Sequence, residues 1–384
     1  MAKRIVFVNQ ATGYLTIDVI NEFAEEFDEV ALITGSIRIQ ERPLDSSVRV
    51  SYITKYNRGS AFKKALSWII GTIQIYFLLI LKYKNFEKFF FTIPPTAYLI
   101  ALCLKSQYSI TVFDLYPEAL KAFGLREKDL LYKWWSAKNR RIFSGAHKVY
   151  TLSKNLEYEI KKYSPIVDIH VIENWSAFSG YKPLKKEHNR FRNDVELKGK
   201  FVIQYSGNIG ITHNVETLVE VAKKLKHHKD LIFQIIGRGE RSNVIQALIK
   251  RDELSNCQIL PFRKDDDLFE SLCAADLAVI TLDNKTSDIS LPSKLYNIIA
   301  AGLPIMAIAP SNSALSEIVS NFKIGRTFKN EEIREMCEFI LKLKDDEVLK
   351  QRMISNTLEA SRKFTFKNAS MYLMHYLEKN PTIN

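Results

Sequence analysis

Short apolar runs alternate with amphipathic stretches along nearly the whole chain. The first half has predicted strands at Ile5–Val8, Glu29–Thr34, Val48–Tyr52, Lys88–Thr92, Ser109–Phe113, Lys148–Leu152 and Ile169–Ile172. The second half has predicted strands at Phe201–Tyr205, Leu231–Ile236, Gln258–Leu260, Leu277–Thr281, Ile305–Ala309 and Ile324–Thr327. Helical patterns separate most of these strands, including one over Pro95–Lys105, and such alternation is typical of parallel, doubly wound sheets. The pattern therefore predicts an α/β chain with two Rossmann-like domains.

A polar, charged stretch divides the two alternations and predicts the domain limits. We expect an N-terminal domain over residues 1–180, a linker over 181–200 and a C-terminal domain over 201–365. Residues 366–384 follow as an amphipathic, aromatic-rich segment. Ligands of such sheets bind beyond the carboxyl ends of the strands, so the loops that follow the strands hold the candidate sites.

The net charge of +12 is concentrated around one apolar helix pattern. Between Lys55 and Lys148 there are 16 Lys and Arg residues against five acids, and Ala65–Leu81 within this stretch carries no charge. Five lysines flank the apolar run: Lys63, Lys64, Lys82, Lys84 and Lys88. Three interpretations stay open, namely a helix buried on a sheet, a helix on an anionic membrane surface, and a membrane span at the short limit of length. Because no nucleic-acid recognition motif accompanies the charge, we expect no nucleic-acid partner.

The reactive residue types exclude several other kinds of site. The four cysteines lack metal-ligand spacing, which indicates a reduced, cytosolic setting without a zinc site. No Ser/His/Asp order or metal-binding histidine pair appears. The first apolar run, Ile5–Val8, is too short for the core of a signal peptide.

The segment 288–304, DISLPSKLYNIIAAGLP, carries the strongest candidate chemistry. Pro292 suits the first turn of a helix, where its missing N–H costs nothing. Ser293 and Lys294 then lie where free backbone N–H groups favour an anion. This pattern predicts a phosphate site at Lys294.

Three earlier loops of the same domain each follow a predicted strand. Their candidate residues are Gly207, Asn208, Gly210 and His213, then Gly237 and Arg238, then Pro261, Phe262 and Arg263. Each loop has a simpler interpretation as well, because glycines make tight turns and Phe262 suits a core. Four such loops in order favour one shared ligand site.

The first half offers two polar loops at strand ends. Gly13 and Tyr14 follow the first strand, and a cluster containing Asp114, Tyr116 and Glu118 follows the fifth. Two interpretations of Asp114 stay open, a helix cap and a carboxylate that contacts a ligand's hydroxyl groups.

These motifs together resemble the GT-B fold glycosyltransferases of glycosyltransferase family 4, in particular bacterial enzymes of surface-polysaccharide (O-antigen or capsule) synthesis with a Pro-Ser-Lys motif. The segments that carry the resemblance are 205–210, 236–239, 260–262, 275–276, 291–296 and 300–304, with 114–118 and 173–175 in the first half.

The resemblance implies two Rossmann-like domains that face each other across a cleft. The C-terminal domain would bind a nucleotide-sugar, commonly a UDP-sugar, and the N-terminal domain a lipid-linked sugar acceptor at the inner leaflet. Such enzymes transfer a hexose, usually with retention of configuration, and need neither a metal nor another cofactor. The last helix, within 366–384, often packs back on the first domain.

Matching positions gives each candidate residue a role. The donor site would comprise Gly207, Asn208, Gly210, His213, Gly237, Arg238, Pro261, Phe262, Arg263, Pro292, Ser293, Lys294 and Asn297, and the acceptor side Gly13, Tyr14, Tyr116 and Glu118. Lys294 and Asp114 are the catalytic candidates. The family's usual pair of glutamates falls on Ile289 and Asn297, and its diphosphate-binding Arg and Lys fall on Asn208 and His213. We therefore expect Lys294 to carry most of the positive charge.

The sequence predicts a cytoplasmic enzyme held on the inner face of the plasma membrane by an anionic surface. Two other hypotheses remain, a UDP-sugar 2-epimerase-like enzyme of the same fold and a non-catalytic membrane-associated scaffold. The first would release an epimerised donor without any acceptor, and the second would bind no nucleotide-sugar.

Overall fold

The computed structural model describes residues 2–57, 59–210, 213–263, 265–283 and 291–378. The chain forms two compact units, one of Met1–Ala177 with Phe366–Asn384 and one of Phe178–Thr365. Each unit contains its own parallel sheet flanked by helices. Ile289 lies outside the described residues.

The first unit is built on a seven-stranded sheet in the order β3-β2-β1-β4-β5-β6-β7. Its strands are β1 Arg4–Val8, β2 Glu29–Thr34, β3 Arg49–Tyr52, β4 Glu87–Phe91, β5 Tyr108–Val112, β6 Val149–Thr151 and β7 Ile169–Val171. All paired neighbours are parallel, so the carboxyl ends of the strands lie at one edge. The order reverses between β1 and β4, which is where ligands of doubly wound sheets bind.

Four α-helices lie along this part of the chain: α1 Tyr14–Ala24, α2 Ala61–Leu81, α3 Leu130–Gly145 and α4 Lys154–Lys161. The helix predicted over Pro95–Lys105 is instead a 3-10 helix over Ala97–Cys103. Its bonds span three residues, as from the Ala97 N–H to the Pro94 carbonyl. Pro95 disfavours the helical region for the residue before it, so the helical segment begins only after the two prolines.

The second unit contains a six-stranded parallel sheet in the order β10-β9-β8-β11-β12-β13. Its strands are β8 Phe201–Asn208, β9 Leu231–Arg238, β10 Cys257–Leu260, β11 Leu277–Thr281, β12 Ile305–Ile308 and β13 Gly325–Phe328. Its helices are α5 Arg190–Asp194, α6 Glu216–Lys224, α7 Ser242–Arg251, α8 Asp265–Cys273, α9 Lys294–Ala300, α10 Ala314–Asn321, α11 Ile333–Asp345 and α12 Glu347–Ser361. The strand order reverses between β8 and β11.

The segment 181–200, predicted as a linker, is part of the second unit. It contains a 3-10 helix at Lys186–His188 as well as α5. Lys186 forms an ion pair with the buried carboxylate of Asp276. The guanidinium of Arg192 donates to the carbonyl of Ala274 at 2.5 Å. These bonds hold the charged segment on the unit's surface.

The last helix, α13 (Ala369–Leu377), belongs to the first unit. The ring of Tyr376 packs edge-on against Phe23 of α1, with 5.2 Å between centroids. The Tyr150 hydroxyl of β6 donates to the carbonyl of Tyr372 at 3.0 Å. Aromatic burial and this hydrogen bond therefore fix the end of the chain to the first sheet.

Helix α2 is buried along one face only. Ile75 and Leu79 are fully buried, and the opposite side exposes seven large apolar residues. We call these residues the apolar stripe: Phe62, Leu66, Ile69, Ile70, Ile73, Phe77 and Leu81. Within the described ranges, Phe62–Leu81 is the one helix long and apolar enough to span a membrane. The interpretation as a fully buried helix is therefore wrong.

Lys88, expected among the flanking lysines, is itself buried at the start of β4. Its ammonium donates to the carbonyls of Lys84 (3.0 Å) and Phe86 (2.5 Å), and burial lowers its pKa to about 8. Lys63, Lys82 and Lys84 are exposed, whereas Lys64 is half-buried. Exposed positive charge therefore remains at both ends of the stripe.

Candidate functional site

Two glycines that were expected in turns lie within paired strands. Gly207 of β8 is opposite Gly237 of β9, so both strands run past their predicted ends at Tyr205 and Ile236. A Cβ atom on Gly237 would lie 1.9 Å from the carbonyl oxygen of Gly207. Only glycine permits two backbones to come this close. The contact joins the ends of β8 and β9 at the carboxyl edge of the sheet.

Lys294, the first residue of α9, reaches this glycine pair. A Cβ atom on Gly207 would be 3.3 Å from the Lys294 ammonium nitrogen, which also lies 3.9 Å from the ring centroid of Tyr205. The nitrogen is buried and has no hydrogen-bond partner among the described residues. Burial lowers the pKa of Lys294 to about 7. Sequence reasoning placed Tyr205 in a motif but assigned it no role, because its ring direction depends on the fold.

His213 lies close to the same lysine. Burial, followed by the positive charge of Lys294, lowers the pKa of His213 to about 4, and the charge of Asp283 acts in the opposite direction. A Cβ atom on Gly210 would meet the side chains of Asn208 at 2.7 Å and His213 at 3.4 Å. The histidine is therefore neutral near pH 7, which leaves Lys294 as the cation of this cluster.

Asp283 was not predicted as a site residue. It lies two residues after the end of β11, at the point where the strand order reverses, and an acidic residue there could have been recognised in the sequence. The charge of Asp283 acts on the pKa of His213, which is 70 positions earlier in the chain. This proximity depends on the folded sheet and could not be predicted from the sequence.

The start of α9 contributes the neighbouring candidates. Pro292 is half-buried and Ser293 exposed, and Ser293 makes no side-chain capping bond. The helix has seven residues, from Lys294 to Ala300. Asn297 lies three positions after Lys294 and therefore on the same side of the helix.

Arg238 and Phe262 form a second pair at the carboxyl edge. The guanidinium carbon of Arg238 lies 5.0 Å from the ring centroid of Phe262. Because 39% of Phe262 is exposed, the interpretation of this ring as core is wrong. Pro261 beside it is exposed too. An exposed aromatic ring with a guanidinium beside it is suited to stack a flat, electron-rich group.

Arg263, grouped with these residues by sequence, contacts another element. Its guanidinium carbon lies 4.7 Å from the ring centroid of Phe191 in α5. Arg263 therefore contacts the segment 181–200, which the sequence predicted as a linker.

In the first unit, Asp114 and Tyr116 lie beside helix α2. Burial raises the pKa of Asp114, and the positive charge of Lys64 opposes that shift. The ring of Tyr116 meets Trp68 edge-on at 6.2 Å and stacks on Trp135 of α3 at 5.8 Å. The result is a carboxyl group bordered by aromatic rings. Neither residue was predicted as part of a site, since Lys64 was grouped with the flanking lysines and Trp68 lies inside the apolar pattern.

The other first-unit candidates have separate surroundings. Gly13 precedes α1, and a Cβ atom there would meet nothing within 4 Å. The hydroxyl of Tyr14 donates to the carbonyl of Trp175 at 2.9 Å, and burial raises its pKa. The carboxylate of Glu118 is buried and accepts from the hydroxyls of Tyr132, at 2.9 Å, and Tyr163. The Tyr14 hydroxyl is thus hydrogen-bonded to the backbone of its own unit. The carboxylate of Glu118 is bonded to Tyr132 of α3 and to Tyr163 just after α4.

Comparison with known proteins agrees with this architecture. Residues 186–360 match the family model for glycosyl transferases group 1. The second unit is therefore similar to this family over the matched residues. The chain is similar to WbjE of Pseudomonas aeruginosa, described as a probable glycosyltransferase, with 27% identity over 232 residues, 59% of this chain and 57% of the relative. It is also similar to WcaI of Escherichia coli K12, named as a putative colanic acid biosynthesis glycosyl transferase, with 29% identity over 185 residues. This alignment covers 47% of this chain and 45% of WcaI. The chain thus spans about half the length of these relatives.

Solved structures show the same fold over nearly the whole chain. WaaG, a glycosyltransferase involved in lipopolysaccharide biosynthesis, aligns with a TM-score of 0.70 at 12% identity, covering 96% of this chain and 99% of its own. HepE of Anabaena, solved with UDP and glucose, aligns with a TM-score of 0.72 at 14% identity, covering 98% and 99%. The two-sheet architecture is the GT-B fold. The matched residues include the Lys294 cluster, namely Tyr205, Gly207, His213 and Lys294, whereas Asp114 and Tyr116 lie outside them.

Proposed function

We propose that the protein is a glycosyltransferase of bacterial surface-polysaccharide synthesis, and that its donor is a nucleotide-sugar whose diphosphate binds at Lys294. One observation carries the proposal: the buried Lys294 ammonium has no hydrogen-bond partner among the described residues and lies beside Gly207. A buried ammonium without a partner is costly, and an anion that enters the site removes this cost.

The surrounding residues suit the rest of such a donor. Arg238 and Phe262 offer a stacking surface for a base, and Asn297 offers an amide on the Lys294 side of α9. UDP is the nucleotide we propose, since HepE, of similar fold, was solved with UDP and glucose. The names of WbjE and WcaI support the reaction class.

In the reaction, Lys294 would stabilise the negative charge that develops on the departing diphosphate. A fixed cation in a site that excludes water stabilises such charge strongly. We propose that the transfer retains configuration and needs no metal. Chelation by EDTA should leave the rate unchanged, and a metal-dependent rate would contradict that part of the proposal.

We assign the acceptor, a lipid-linked saccharide, to the first unit near Asp114 and Tyr116. Helix α2 provides Lys64 and Trp68 to this place and carries the apolar stripe on its opposite side. Leu130, at the start of α3, is a further exposed apolar residue of this unit, with 85% of its surface exposed. Apolar side chains with flanking lysines suit an anionic membrane, where a lipid-linked acceptor resides.

The deciding experiment is calorimetry with UDP on three proteins: the wild type, Lys294→Ala and the control Lys250→Ala. Lys250 is an exposed residue at the end of α7. We expect UDP binding to the wild type and the control, and a loss of at least about tenfold in affinity for Lys294→Ala. Equal binding by all three proteins would refute the assignment of the diphosphate. Mass analysis of products from UDP-sugars and a lipid-diphosphate-sugar acceptor then tests transfer itself.

A further inference from the structure

A polar cavity of about 380 Å³ lies in the helical layer of the first unit. Its walls come from the 3-10 helix at Glu118–Phe123, from α3, and from the end of α4 with the residues that follow it. Neither Asp114 nor Tyr116 lines it. The volume falls within the range typical of sites for small molecules.

Glu118 forms a buried acceptor in the wall of this cavity. The residue is 8% exposed, and both Tyr132 and Tyr163 donate their hydroxyls to its Oε1 atom. The other carboxylate oxygen, Oε2, is buried and has no hydrogen-bond partner among the residues that the structure describes. A buried carboxylate oxygen without a donor is costly, so a ligand that brings a hydroxyl group gains by filling that place.

Positive charge lies around the same cavity. Lys121 and Lys162 line it and are paired with Glu127 and Glu159. Lys133 and Arg140 also line it, and in the described chain neither side chain has an ion pair or hydrogen bond. They are exposed and seven positions apart on α3, which places them on one side of that helix. Two cations without partners favour an anionic group at the mouth of the cavity.

We propose that this cavity binds a phosphorylated sugar. The phosphate would contact Lys133 and Arg140, and a sugar hydroxyl would donate to Glu118 Oε2. A bare anion fits less well, since the Glu118 carboxylate repels it, and an uncharged sugar leaves both cations without a partner. The cavity is separate from the Lys294 cluster, so its ligand can be tested without that cluster.

The test is calorimetry with α-D-glucose 1-phosphate on the full chain carrying Lys294→Ala, so that the Lys294 cluster does not capture the phosphate. Glucose and inorganic phosphate are the comparison ligands. We expect the phosphorylated sugar to bind about tenfold or more tightly than either of them. Equal affinity for inorganic phosphate, equal affinity for glucose, or no binding of glucose 1-phosphate would overturn the proposal.

Variants on the same background locate the ligand. Lys133→Ala with Arg140→Ala should lower the affinity for glucose 1-phosphate by about tenfold or more. Arg141→Ala, an exposed arginine of α3 outside the cavity lining, should leave it unchanged. Glu118→Gln keeps an acceptor oxygen for the hydroxyls of the two tyrosines. It should lower the affinity for glucose 1-phosphate more than the affinity for inorganic phosphate. If the double variant kept its melting temperature and bound glucose 1-phosphate with the same affinity as Arg141→Ala, the ligand would bind outside this cavity.

Discussion

The ammonium nitrogen of Lys294 lies 3.9 Å from the ring centroid of Tyr205, a residue of strand β8. A desolvated contact of this kind contributes about 2 kcal/mol. Removing an ion from water costs several kcal/mol, so the ring offsets only part of that penalty. The lowered pKa of Lys294, about 7, reflects the remainder. The site is therefore set to gain free energy when an anion arrives.

Binding of UDP should be accompanied by proton uptake. At about pH 8 the free lysine is mostly neutral, since its pKa is about 7, and a bound diphosphate raises that pKa by favouring the charged form. Affinity should then fall as the pH rises above 7. Calorimetry in two buffers of different ionisation enthalpy measures the uptake. Lys294→Ala should abolish it, and an enthalpy that is independent of the buffer in the wild type would contradict the prediction.

Lys294→Met should stabilise the ligand-free protein, most strongly below pH 7. The pKa of Lys294 is about 7 in the folded protein, against 10.5 for an ordinary lysine, so the unfolded chain binds more protons between these limits. Stability of the wild type therefore rises with pH through this window, and the full penalty is present below it. Methionine carries no such penalty.

Urea unfolding of the two proteins at about pH 6.5 and about pH 10 measures this difference. We expect the free energy of unfolding to differ by about 1 kcal/mol or more at the lower pH and by less at the higher, since each pKa unit corresponds to about 1.4 kcal/mol. Lys250→Met, at an exposed position, serves as the control. A difference that did not change with pH would mean that the ammonium is well solvated in the folded state.

Much of the fold follows from the sequence because each strand is a short apolar run between polar loops. Strands β1 and β11 were predicted within one residue of their ends for this reason. The pattern also predicted that Lys294 and Gly207 lie at one edge, since both were expected in loops after strands of one parallel sheet.

Side-chain directions were less accessible to sequence reasoning, because tertiary packing sets them. Glu118 follows a strand end like Asp114, yet its carboxylate meets Tyr163, a residue 45 positions away. Lys88 was grouped with exposed lysines, but the strand pairing of β4 buries it. The apolar pattern of α2 did not show which of its faces packs on the unit, because apolar residues occur on every side of the helix.

Gly237→Ala should disrupt the Lys294 cluster through the backbone. The added Cβ would lie 1.9 Å from the Gly207 carbonyl oxygen, so the paired ends of β8 and β9 must separate. We expect UDP affinity to fall by about tenfold or more as Gly207 moves relative to Lys294. Gly13→Ala, where a Cβ meets nothing within 4 Å, should leave UDP binding intact. Unchanged UDP affinity in Gly237→Ala would show that the glycine pair does not form the site.

The apolar stripe should determine attachment to anionic membranes. Ile69 and Ile73 are 55% and 52% exposed at the middle of the stripe, so replacing both with Gln removes apolar area from the proposed contact. Each isoleucine contributes on the order of 1 kcal/mol if it enters the lipid, and the double variant should sediment with phosphatidylglycerol vesicles about tenfold less well. Ile166→Gln, at a position 82% exposed but outside α2, is the matched control.

Added salt should weaken membrane binding of the wild type, because Lys63, Lys82 and Lys84 are exposed and their charges are screened. If the double variant sedimented as well as the control, or if neutral phosphatidylcholine vesicles bound the wild type equally, the stripe and its lysines would not be the membrane contact.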